Sequence, residues 1–142
     1  MNEQELMKKV RASVNSQCYT RGFATPVDVL MDVGALTKQQ YTLWRQGRVD
    51  YLERVCTMNL HRLAAIMHEI RSTAVKKGLK PSVTVYGPWK SKHSGNSESR
   101  LRFSKSGNPD IEKYYATHYV DSKRIAELKQ KKEESTTIDQ QA

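Results

Sequence analysis

The sequence predicts a mainly α-helical α+β domain, and three observations carry that reading. Over the first 80 residues, apolar side chains return every three or four positions between strong capping residues. Past Pro81 the period shortens to two, over Val83–Tyr86 and again over Arg100–Ser104. From Asp121 onward the chain is a charged helix with Ile125 and Leu128 as its large apolar residues, running into a polar tail. At 142 residues the chain suits one domain, set at 1–120 with the hairpin near 82–105, plus a charged helix and tail over 121–142.

Each element has a local cause. Leu6, Val10, Val14 and Cys18 line one face of a first helix from Asn2 to about Cys18, and Gly22 lies in the break after it. Thr25-Pro26-Val27-Asp28 starts a second helix: Thr25 caps, Pro26 is preset for the first turn, and Asp28 suits the positive end of the dipole. Gly34 is placed to end it in a left-handed conformation. Thr37 and Gln40 form a capping box for a short third helix that Gly47 stops. Asp50–Glu53 opens another turn or two. Asn59 caps a longer core helix with Leu60, Leu63, Met67, Ile70 and Ala74 on one stripe, closed by Lys76, Lys77 and Gly78.

The alternating segments after Pro81 predict an antiparallel hairpin, with Leu101 and Phe103 inward and Arg100 and Arg102 outward. Its connection, GPWKSKHSGNSES, is long, basic and rich in glycine and serine, the kind of loop that is functional or disordered. Asn108-Pro109-Asp110 begins one more helical turn, with Ile111, Tyr114 and Tyr115 to pack it.

Charge is the main functional signal. The formal net charge is +9, and between Arg71 and Lys105 nine basic side chains face a single acid, Glu98, a net of +8. The rest of the chain nearly cancels. Such a concentration attracts polyanions. No apolar run is long enough for a membrane span, and MNEQELMKKV lacks the apolar stretch of a secretory signal, so the expected compartment is the cytoplasm. Cys18 and Cys56 stand apart from any metal or redox spacing and read as reduced thiols. HExxH, P-loop and GxSxG patterns are absent, and His61 and His68, about 10.5 Å apart along a helix, cannot share a metal unaided. No metal or cofactor is expected.

Three sets of residues could bind a partner. In the first, Lys90, Lys92, Arg100, Arg102 and Lys105 contact the phosphates of DNA or RNA while Trp89 stacks on a base; Arg100 and Arg102 would stand roughly 6–7 Å apart on one strand face. Solvated edge cations are the plainer explanation of the same residues. In the second, Thr25–Gln46 forms a helix-turn-helix that presents Lys38, Gln39, Thr42, Arg45 and Gln46, although Leu30 is large for that motif and Gln40 polar. In the third, a surface over Tyr41–Arg54 docks a protein partner, with Trp44 and Tyr51 as anchors and Arg45 and Arg48 at the rim. Tyr41, Trp44 and Leu52 fit a packed core better. A metal-independent nuclease built on His93 and His118 would need the fold to bring them together. The expectation is a non-enzymatic nucleic-acid-binding protein.

Two stretches also carry a resemblance. Thr25-Pro26-Val27-Asp28-Val29-Leu30 through Trp44-Arg45-x-Gly47-Arg48-Val49-x-Tyr51-Leu52-Glu53-Arg54-Val55 is one, and Leu101–Gly107 through Tyr115-Ala116-Thr117-His118-Tyr119-Val120 is the other. Together, over roughly residues 21–120, they resemble a family of small uncharacterised bacterial proteins. The resemblance implies a bacterial, cytoplasmic protein whose two halves form one unit, and it assigns no activity to any position.

Overall fold

In the computed structural model, which describes residues 1–89 and 100–141 with side chains through Glu134, the first 77 residues form helices that start where the capping residues stand. Helix α1 (Glu3–Arg21) is capped by Asn2, whose side chain accepts from Glu5 N at 2.8 Å. Helix α2 (Pro26–Asp32) is capped by Thr25, helix α3 (Lys38–Arg45) by Thr37, and helix α4 (Leu60–Lys77) by Asn59. Each of these caps accepts a bond from the amide three residues on, satisfying a donor that the first helical turn leaves open. A single 3-10 turn, Leu52–Val55, lies between α3 and α4. The predicted α1 stripe is fully buried and packs on α4 through Leu63, Ile66, Met67, Ile70 and Ala74. Helix α1 runs three residues beyond its predicted end, because Gly22 at φ 86 accommodates the left-handed cap and donates to Cys18 O.

The sheet differs from the predicted hairpin. Strand β1 (Phe23–Ala24), strand β2 (Lys80–Val83) and strand β3 (Thr117–Val120) form an antiparallel sheet in the order β1-β3-β2. Lys80 pairs with Val120 and Val83 with Thr117, so β3, not residues 100–104, is the partner of the strand after Pro81. Pro81, which has no N–H to donate, suits this edge position. Residues 100–104 are not a strand; the one backbone bond linking them to the earlier segment is Leu101 N to Tyr86 O, at 2.8 Å. Phe103 is buried and Leu101 partly so, as the alternation predicts, with Arg100 and Arg102 exposed. Val83 and Val85 are exposed, while Tyr86 turns inward and meets Phe103 edge-on at 5.3 Å.

Helix α5 (Pro109–Ala116) leads straight into β3, and helix α6 (Ser122–Gln141) follows. The first turn of α6 is tied back to α1: Asp121 N donates to Gly22 O, and Arg124 lies over the Tyr19 ring at 4.2 Å while donating to Tyr19 O. A Cβ on Gly22 would stand 2.4 Å from Ile125, so the helix approaches this closely only because position 22 has no side chain. Among the described residues, no helix is long and apolar enough to cross a membrane.

His118 on β3 sits against Phe23, 6.2 Å between ring centroids, with its Nε2 2.9 Å from the Tyr86 hydroxyl. Burial lowers its pKa from the ordinary 6.5, and the Arg21 charge adds to that, opposed by Asp28. The folded form therefore binds this proton less readily than the unfolded chain. Stability from His118 is present above about pH 6.5 and is lost as pH falls through the lowered value. Thermal midpoints measured between about pH 7.5 and 5 should fall more steeply for the natural chain than for His118→Gln. Equal slopes would show that this imidazole is not held neutral.

Candidate nucleic-acid interface

Backbone hydrogen bonds bring two of the sequence candidates into one place. Trp89 N donates to Arg45 O at the end of α3 at 2.6 Å, which lays residues 86–89 along that helix terminus. Leu52 N and Trp44 Nε1 both donate to Arg102 O, at 3.0 and 2.8 Å, and Glu53 N donates to Phe103 O at 2.9 Å. The end of α3, the 3-10 turn, residues 86–89 and residues 100–105 thus form one connected surface over an aromatic floor. Trp44 is fully buried in that floor, with its ring centroid 5.6 Å from Tyr86 and 5.1 Å from Phe103.

Each predicted contact residue has a distinct environment. Arg45 lies between Tyr86 and Trp89, 5.0 and 5.2 Å from their ring centroids, with its Nε buried and unpartnered. Stacking of this kind stabilises by about 0.5–2 kcal/mol and offsets much of the cost of that donor. Trp89 is 43% exposed, and Tyr41 meets it edge-on at 5.9 Å. Arg102 does not project from a strand beside Arg100. It curls onto its own turn, donating from Nε to Ser104 O at 2.9 Å and from Nη2 to Lys105 O, beneath the Tyr51 ring. Lys38, Arg48, Arg100 and Lys105 are exposed. Lys90, Lys92 and His93 lie outside the described residues.

The electrostatic pattern is sharper than the sequence indicated. Among the described residues there are four ion pairs, Arg11–Glu69, Arg21–Asp28, Arg54–Asp50 and Arg124–Glu127, and every cation in them lies outside the Arg71–Lys105 window. Arg71, Lys76, Lys77, Lys80, Arg100, Arg102 and Lys105 pair with no described carboxylate. Two acids at this surface, Glu53 and Glu112, are already engaged by neutral donors. Glu53 accepts from Lys105 N and the Tyr115 hydroxyl, and Glu112 from Phe103 N, Ser104 N and Ser104 Oγ. Burial, followed by the bond to Glu53, pushes the Tyr115 phenol far above its usual range, so it donates as a neutral hydroxyl.

The structure decides between the two readings of Trp44 and limits what helix α3 can present. Trp44 is core and not an anchor for a protein partner, because its ring has no exposed surface and its N–H is taken by Arg102 O. Residues 86–89 lie against the last turn of α3, where Arg45 stacks, while Lys38 and Gln39 at its start are exposed. No protein-family model matches the chain, and no curated protein or solved structure is detectably similar to it. Cys56 is a free, half-buried thiol pushed up to about 12 by burial and then by the Glu53 charge, far from the depressed values of reactive cysteines. Among the described residues, no group of three or more His, Cys, Asp or Glu side chains could hold a metal ion. Glu53 and Glu112, which organise this surface, carried no sequence signal; their partners are set by the tertiary fold.

Proposed function

We propose that this is a cytoplasmic, non-enzymatic nucleic-acid-binding protein that meets the phosphates of DNA or RNA with Arg48, Arg100 and Lys105, beside the half-open ring of Trp89. The observation that carries the reading is the charge pattern: the described ion pairs engage arginines outside the Arg71–Lys105 window and leave the described window cations without carboxylate partners. An uncompensated field of this kind is what draws in a polyanion and releases its counterions. Trp89, steadied by Arg45 and Tyr41, is a flat exposed surface suited to an unpaired base. Arg102 has a different part. Its donors hold the turn that carries Lys105, so it positions the contact residues.

The test is a salt titration with labelled single-stranded RNA, single-stranded DNA and duplex DNA. Affinity should fall linearly on a log–log plot, by about 0.7–0.9 per phosphate contact. Arg100→Ala should reduce that slope by about one contact while changing stability by no more than about 0.5 kcal/mol. Arg102→Ala should lower the thermal midpoint as well. No binding near 50 mM salt, or an affinity insensitive to salt, overturns the reading.

A further inference from the structure

Arg71 belongs to the basic window but stands apart from that surface. It lies in the wall of a cleft of about 610 Å³ between α4 and α5. Leu60, Ala64 and Met67, spaced four and three residues apart, line the α4 side and lead to Arg71, a run of roughly 16–17 Å at 1.5 Å per residue. Ile111 and Tyr114 face them from α5. The trough is apolar along its length and cationic at one end. Leu60 and Tyr114 are large apolar groups left open to solvent, 52% and 37% exposed.

The guanidinium is the telling feature. It lies over the Tyr114 ring, 3.9 Å from the centroid. It donates to no described residue, and its Nη1 is cut off from water without a partner. Nε and Nη2, which keep accessible surface, are the donors left for a ligand, and two N–H groups side by side on a planar fork fit a carboxylate. Glu53, the acid in the same cleft, makes no ion pair with Arg71 and accepts instead from Lys105 N and the Tyr115 hydroxyl. Arg71 and Lys105 against Glu53 leave one net positive charge among these lining groups.

We propose that this cleft binds an elongated small-molecule monocarboxylate, with its apolar body along α4 and its carboxylate on Arg71. Volume, shape and charge agree: the cleft lies in the range of small-molecule sites, has an apolar length along α4 that leads to Arg71, and carries one net positive charge. The assignment does not depend on the nucleic-acid reading, although Glu53 and Lys105 border both places.

Sodium decanoate, titrated below its micelle concentration into the full chain by calorimetry, is the probe, with 1-decanol as the uncharged control. Decanoate should bind saturably at one site and at least about tenfold more tightly than decanol, the least expected for a charge-assisted contact. Arg71→Gln should bring decanoate down to the decanol level. Ala64→Trp, at an exposed helix position, fills the trough and should abolish binding with the thermal midpoint unchanged. Failure of decanoate to bind, equal affinity for the two probes, or binding that survives Ala64→Trp would overturn the proposal, whatever the oligonucleotide titrations show.

Discussion

Trp44→Ala is expected to destabilise the chain by about 3–5 kcal/mol, read as a shift in urea midpoint by circular dichroism. For a domain with a typical stability of about 5–15 kcal/mol, that is a third or more of the total. The size follows from what the indole does. Its ring is fully buried against Tyr41, Tyr86 and Phe103, so truncation leaves a void among aromatic neighbours that cannot collapse to fill it. Its Nε1 is also one of two donors to Arg102 O, the other being Leu52 N. Trp44→Phe separates the two effects. It keeps most of the apolar volume and leaves Arg102 O a single partner, so it should cost about 1–2 kcal/mol. In a Trp89→Phe background, Trp44 should fluoresce blue-shifted and resist quenchers. A loss below about 1.5 kcal/mol for Trp44→Ala would mean that the indole is not the centre of this core.

What could be read from the residues divides along the range of the interactions. The helices are local, and their starts follow from side chains that bond amides two or three residues away: Asn2, Thr25, Thr37, Asn59 and Asn108 all do so. The sheet is not local. Phe23 pairs with Val120 and Lys80 with Val120, and strands of two and four residues are too short to announce themselves by alternation. The two segments that do alternate meet through their inward rings, Tyr86 and Phe103, yet their backbones are joined at one point between Tyr86 and Leu101. Alternation reports which side chains face the core, and it says nothing about which backbone lies alongside. The interface divides in the same way. A count of charges locates the cations, but only the fold decides that Arg102 is spent on its own turn and that Arg71 stands over Tyr114 in a separate cleft.

Glu112→Ala should cost about 2–4 kcal/mol and loosen the surface that carries Lys105. From the first turn of α5, one carboxylate oxygen accepts from Phe103 N at 3.0 Å and the other from Ser104 N at 2.6 Å and Ser104 Oγ at 2.5 Å. Removing it strands two backbone amides of a segment outside the sheet ladders, and their remaining satisfaction depends on how far water can enter. Glu112→Gln, which keeps one acceptor and turns an NH2 toward the other donors, should cost roughly half as much. The same variant separates two explanations of nucleic-acid affinity. If net charge alone governs binding, removing an acid should tighten it at fixed salt, because the field becomes more positive. If binding needs Arg100 and Lys105 held in place by the turn between them, Glu112→Ala should weaken it despite the added positive charge. Oligonucleotide affinity, measured at a temperature where the variant is still folded by circular dichroism, decides between them; tighter binding by the alanine variant would reduce the interface to unorganised electrostatics.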